Sequence, residues 1–336
     1  MNLQQRIEIL STAGDYISSQ ENNTAGNEWE QALHTAYVKN NWFTPTFSQT
    51  ASRAIADNLL RQELLEQWAA HYHLNDSVLP KTVGVVMAGN IPMVGFHDFL
   101  TVFLSGHKQV IKLSSKDDVL LKHLVQKMTE WEPAVAERVQ FAERLNQCEA
   151  YIATGSDNSA RYFDYYFGRY PSIIRKNRTS AAVLTGHETA AQLESLADDI
   201  MLYFGLGCRN VTKIYVPHEY NFEPLLKALR KYSYFFDHHK YRSNYDYQLA
   251  IYIMNNRYYM TNDCIVLVEQ DELFSPIGTL HYSFYKEEQA VYEELAQHPG
   301  VQAVVGSRGL GFGRAQQPGL MDYADGVDVM QFLLTL

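Results

Sequence analysis

Through the first 78 residues apolar side chains return every three or four positions, most clearly over 51–68, and no run reads as a strong strand. That spacing predicts an all-helical segment. From residue 82 the pattern changes. Short apolar runs at 82–88 (TVGVVMA) and 109–113 (QVIKL) predict buried strands, with a helix over 96–104 between them and another over 117–131. A strand at 150–153 leads into Thr154-Gly155-Ser156 and a helix over 158–166. Strand 180–184 precedes a strongly periodic helix over 190–204, which stops at Gly205-Leu206-Gly207, immediately before Cys208. The second half continues with strands at 211–216, 264–268, 279–284 and 301–305 and helices at 222–232, 246–255 and 287–297. Strands and helices alternating in this way predict βαβ units and mostly parallel sheets. From residue 306 the chain is glycine-rich, and its apolar run at 327–334 reads as a strand suited to pairing with a neighbouring domain or subunit.

Length and composition narrow the class. A chain of 336 residues holds two ordinary domains, and 46% hydrophobic against 20% charged residues is a globular balance. The formal net charge of -10 argues against a nucleic-acid surface. The start, MNLQQRIEIL, lacks the basic residues and apolar core of a signal peptide. Every apolar stretch is broken well short of the roughly 18–20 residues a membrane span needs. Three cysteines, Cys148, Cys208 and Cys264, are sparse and lack metal-ligand spacing, so the expectation is a reduced, cytoplasmic protein without a metal site. The 23 tyrosines and 16 phenylalanines suit core and interface packing, and would also suit a pocket for an apolar ligand.

Two segments carry candidate chemistry. Cys208 lies in GLGCRN, between a glycine-marked helix end and a strand. A thiol attacks as its thiolate, and Arg209 and the N–H groups of such a loop could stabilise that charge; a small buried hydrophobe is the plainer alternative. Thr154-Gly155-Ser156 joins a strand to a helix N-terminus, whose unpaired N–H groups and dipole favour an anion, although a serine-capped turn looks the same. GLGFG at 309–313 lacks the GxGxxG spacing and a following helix, so it is not read as a dinucleotide loop. His238-His239 has no carboxylate or cysteine at site spacing and reads as a solvated pair.

The order of the pieces is more specific than any of them. Gly89-Asn90-Ile91-Pro92, then KLSSKD at 112–117, then Thr154-Gly155-Ser156, then Cys208, then Glu272-Leu273-Phe274-Ser275-Pro276 resembles the aldehyde dehydrogenase superfamily from about residue 80 to the end. Within it the pattern is most similar to the acyl-CoA reductases that include the fatty acyl reductase of bacterial bioluminescence. The resemblance implies an α/β fold of two domains with mostly parallel sheets: 1–187 for the nicotinamide cofactor, 188–305 for the nucleophile, and 306–336 as a returning tail with a bridging, oligomerising strand. It implies Cys208 as nucleophile and Asn90 as an oxyanion donor. Lys112 falls at the adenosine ribose, Gly155 and Ser156 at the pyrophosphate, and Glu272 and Phe274 at the nicotinamide ribose and ring. Ser115 stands where NAD-preferring members carry glutamate; with Lys116 beside it, NADPH is the expected cofactor.

One departure bears on the reaction. Where oxidising members read Glu-Leu-Gly-Gly, this chain reads Arg175-Lys176-Asn177-Arg178-Thr179. The glutamate that would activate water against an acyl-enzyme is missing, which fits reduction. The basic replacements would either meet coenzyme A phosphates or form a solvated face. The implied substrate is an acyl-CoA or acyl-carrier thioester, handled by a homo-oligomer and supplied by an acyl-transferring or acyl-activating enzyme. An NAD(P)-dependent aldehyde dehydrogenase, an acyl-phosphate reductase of the same fold and a non-catalytic acyl-binding subunit are the competing readings.

Overall fold

A computed structural model describes residues 1–20 and 27–336. The chain forms two compact units, Met1–Asn177 with Gly319–Leu336, and Arg178–Pro318. The first unit opens with α1 (Leu3–Gln20), α2 (Glu28–Lys39), α3 (Pro45–Leu59) and α4 (Gln62–His71), then runs β1 (Thr82–Val86), α5 (Phe96–Ser105), β2 (Lys108–Lys112), α6 (Leu120–Trp131), β3 (Val139–Phe141), β4 (Ala150–Thr154), α7 (Asp157–Phe167) and β5 (Ser172–Arg175). The strands form one parallel sheet in the order β3-β2-β1-β4-β5. The chain winds outward from β1 through β2 and β3, then returns to place β4 on the other side of β1. Loops leaving β1 and β4 therefore diverge at a switch point, where open α/β sheets hold ligands beyond the strands' carboxyl ends. α5 is buried on nearly every face, and Phe96, Phe99, Leu100, Phe103 and Leu104 lie in the core it shares with α1 and α6.

The second unit contains β6 (Thr179–Val183), α8 (Ala190–Met201), β7 (Val211–Pro217), α9 (Glu223–Leu229), α10 (His239–Met254), β8 (Met260–Thr261), β9 (Val266–Glu269), β10 (Thr279–Tyr285), α11 (Glu288–Gln297) and β11 (Val301–Gly306). Its sheet has the order β11-β6-β7-β10-β9-β8 and is parallel except for the short β8. β6 pairs with β7 and β11 of this unit, so the division falls after Asn177 rather than at residue 187.

The tail packs with the first unit and ends in α12 (Val329–Leu334), a helix where the sequence pattern suggested a bridging strand. The Asp328 side chain accepts from the Gln331 N–H as an N-cap, and Val329, Met330 and Leu333 bury one helical face. The whole run at 327–334 is short and apolar enough to be read as a strand, whereas the buried positions at i, i+1 and i+4 share a helix face. A chain of polar contacts fastens the segment: Trp68 Nε1 donates to Tyr323 Oη at 3.1 Å, Tyr323 Oη to Tyr72 Oη at 2.9 Å, and Tyr72 Oη to Asp328 at 2.6 Å.

Candidate active site

Cys208 lies in a turn between α8 and β7, half-buried, while Cys148 and Cys264 are buried. Burial pushes the Cys148 thiol up and carries that of Cys264 to about 11, so both are held as thiols at neutral pH. Helix α8 does not run into the turn. Beyond Met201 the backbone reverses hand, and Tyr203, Phe204 and Gly205 have φ of 55°, 57° and 74°. Only the glycine takes that conformation without cost; the two buried aromatics are held there against their preference. Phe204 is pinned by rings, its centroid 4.4 Å from Phe235 and 4.5 Å from His238. His238 thus caps α10 and packs on Phe204, where a solvated pair was expected.

The turn is stapled by Asn210, which is fully buried. Its Nδ2 donates to the carbonyls of Asp199, Ile200 and Leu202 at 2.9–3.2 Å, and its Oδ1 accepts from the Gly207 N–H at 2.7 Å. These bonds satisfy carbonyls that the abrupt helix end leaves open. From β6, Ser180 Oγ donates to the Cys208 carbonyl at 3.1 Å. The nucleophile candidate is therefore held through its backbone on both sides.

In the first unit the other candidates gather on loops at the carboxyl ends of the strands. Asn90 follows β1 and is exposed; Lys112 ends β2, with Ser115 and Lys116 exposed just beyond it; Gly155 and Ser156 join β4 to α7. Ser156 caps α7 by accepting from the Ser159 N–H. A Cβ at Gly155 would lie 2.9 Å from Ser159 Cβ and 2.8 Å from the Phe163 ring, so only glycine lets the loop lie this close over the helix start. Such a cradle with an exposed helix N-terminus suits a pyrophosphate. In the second unit Glu272 and Phe274 are exposed on the loop between β9 and β10. Among the described residues no group of three His, Cys, Asp or Glu side chains could hold a metal ion, and no helix is long and apolar enough to cross a membrane.

Arg175 departs from the reading of the basic segment as a solvated face or a surface for phosphates, while Lys176 beside it is exposed. It is buried at the end of β5, and its Nη1 donates to both oxygens of Asp98 on α5, at 2.9 and 2.7 Å. The side chains are 4% and 7% exposed, and among the described residues Arg175 Nε and Nη2 have no hydrogen-bond partner.

Asp117, visible in KLSSKD only as the start of an expected helix, has a more specific place. The helix begins at Leu120, and the buried Asp117 carboxylate accepts from the N–H groups of Met93 and Val94, tying the Asn90 loop to the loop of Ser115 and Lys116. Burial raises its carboxyl from 3.8 to about 7. The folded chain then keeps a proton that the unfolded chain has lost, so this group lowers stability as pH rises from about 4 to about 7. Asp117→Asn keeps an acceptor and removes that ionisation. Its melting temperature is expected to fall less than the wild type's over this range in a pH series of thermal unfolding; parallel curves would show that Asp117 ionises normally. Asn210 was equally in view, in GLGCRN, but its residue type alone does not mark it as the staple of the turn.

No protein-family model matches the chain, and no curated protein matches it in sequence. Solved structures do. The chain is similar to a putative aldehyde dehydrogenase from Burkholderia cenocepacia at a TM-score of 0.65 and 12% identity, over 91% of this chain and 74% of that one. It is similar to an aldehyde dehydrogenase from Bacillus cereus, solved with NAD+, at 0.61 and 10%, over 91% and 72%. The propionaldehyde dehydrogenase of the Clostridium phytofermentans fucose utilisation microcompartment follows at 0.60 and 10%, over 90% and 78%. The chain thus has the aldehyde dehydrogenase fold, with one parallel and one mixed sheet.

Proposed function

We propose that this protein is an oxidoreductase that reduces an acyl-CoA to its aldehyde through an acyl-Cys208 intermediate, with NADPH as the reductant. The observation that carries the reading is the stapled, left-handed turn that presents Cys208 half-exposed while Cys148 and Cys264 stay buried. Lys112, Ser115 and Lys116 would hold the adenosine end of the cofactor, Gly155 and Ser156 its pyrophosphate, and Glu272 and Phe274 its nicotinamide ribose and ring. When bound, the cofactor supplies a hydride.

The Cys208 thiolate adds to the thioester carbonyl, with the Asn90 amide and a backbone N–H as donors to the oxyanion. One such donor is typically worth about 3 kcal/mol. The coenzyme A thiolate leaves, and a carbon–sulfur bond to Cys208 replaces the one that broke. After hydride addition, the thiohemiacetal oxyanion collapses to the aldehyde and returns the Cys208 thiolate. Arg175, ion-paired with Asp98, offers no base to activate water against the acyl-enzyme. A cytoplasmic homo-oligomer served by an acyl-activating or acyl-transferring enzyme, with acyl-CoA or an acyl-carrier thioester as donor, completes the proposal.

The test is a direct comparison of thioester reduction, acyl-phosphate reduction and aldehyde oxidation by the purified protein. Only the first should be fast; oxidation of aldehyde to acid as the fastest reaction would favour a dehydrogenase. For the cofactor, Ser115→Glu is expected to raise the KM for NADPH by about tenfold or more through repulsion of the 2′-phosphate, and that for NADH much less. A wild-type preference for NADH would overturn the assignment of Ser115 and Lys116.

A further inference from the structure

Strands β6 and β7 slip by one residue beside the Cys208 turn: Ser180 pairs with Val211, but Ala181 pairs with Lys213. Thr212 is the extra residue of this bulge. Bulges re-aim a side chain, and they are frequent next to active sites. Thr212 Oγ1 donates to the carbonyl of Leu273 at 2.8 Å, between Glu272 and Phe274. It also lies 2.7 Å from Thr179 Oγ1, which in turn contacts the Asn210 carbonyl at 3.1 Å. Thr212 commits its proton to Leu273, so the single hydroxyl proton of the buried Thr179 is shared, three-centred, between the Asn210 carbonyl and Thr212 Oγ1. A continuous path thus runs from the residue that staples the Cys208 turn to the loop of Glu272 and Phe274.

Neighbouring contacts hold that loop elsewhere. Lys213 Nζ donates to the Gln270 carbonyl and to Ser283 Oγ, and a ring nitrogen of His281 lies 2.9 Å from the Glu272 carbonyl. Neither contact reaches the Cys208 turn. We propose that Thr212, with Thr179, is a positioning residue that sets the Glu272–Phe274 loop in register with Cys208. The proposal rests on the reading that this loop faces the nicotinamide. It explains why the bulge lies where it does, because an unbulged β7 would turn the side chain at 212 to the other face of the sheet.

The test uses Thr212→Val, which removes the hydroxyl at nearly constant volume, Thr212→Ser, which keeps it, and Thr179→Val, which cuts the path on its other side. Acylation of Cys208 by acetyl-CoA or dodecanoyl-CoA, and its alkylation by iodoacetamide, should stay within about twofold of wild type in Thr212→Val, because Asn210 and Ser180 still hold the turn. Discharge of the acyl-enzyme by NADPH should slow by about tenfold or more, since small misplacements at a reacting centre are costly. Thr212→Ser should restore it. Amide exchange over residues 270–276 should rise by about fivefold in both valine variants and not in Thr212→Ser. Equal losses of acylation and discharge, tracking a lower melting temperature, would mean that the hydroxyls are ordinary structure. If the wild type takes up no acyl group, the proposed function falls and exchange alone decides: a rise over 270–276 supports the path, and unchanged exchange overturns it.

Discussion

Cys208→Ser is expected to lower aldehyde formation by about a thousandfold or more, whereas Cys148→Ala and Cys264→Ala should keep most of it. The contrast comes from where the three thiols lie. Cys264 donates to the Leu229 carbonyl and sits against Asn262, buried and pushed up to about 11; Cys148 is buried in the other unit. Losing either leaves a small cavity and a modest stability cost. Cys208 alone of the three is half-exposed. A serine there would have to attack as an alkoxide, hardly present at neutral pH, and its ester would accept hydride less readily than a thioester. The intermediate can be weighed directly. With acyl-CoA and no nicotinamide, the peptide carrying Cys208 should gain one acyl mass, and NADPH should release that mass as aldehyde. An adduct on Cys148 or Cys264, or release as acid at the same rate without NADPH, would refute the mechanism.

The alternation of short apolar runs with periodic helices made the parallel sheets legible in the sequence, because buried parallel strands carry near-continuous apolar runs. The strands that escaped were β3, β5 and β8, each of two to four residues. β5 reads Ser-Ile-Ile-Arg and lies at the edge of its sheet, so half of its pattern is missing and it ends on a charge. The C-terminal helix was misread for a related reason: six residues fit either period, and the deciding feature is the Asp328 cap. At the candidate site, the side chains that could do chemistry stood out by residue type and order. Those that hold them did not. Asp117, Asn210, Thr179 and Thr212 act through backbone groups brought near by the fold, and a short polar residue gives no sign in the sequence of which carbonyl or N–H it will meet.

Arg175 is the clearest case, and it leads to the largest expected effect on stability. Removing either partner of a buried ion pair leaves an uncompensated charge, so Arg175→Met and Asp98→Leu are each expected to cost about 3–5 kcal/mol in denaturant unfolding. The pair is not thereby a strong net stabiliser. Two charges have been taken out of water, and among the described residues Nε and Nη2 of the arginine have no partner to offset their desolvation. Replacing both, as Asp98→Leu with Arg175→Met, removes the charges and the unpaired donors together and should recover most of the loss. The double-mutant cycle then reports an interaction energy of several kcal/mol, beyond the sum expected for independent sites. Single variants that each cost less than about 1 kcal/mol would mean that the pair is solvated. The most damaging single change should be Arg175→Glu, which sets a second carboxylate against Asp98 in the same buried space. Asp98→Asn in the Arg175→Glu background removes one of the two facing carboxylates and should recover part of that loss in the same unfolding measurement.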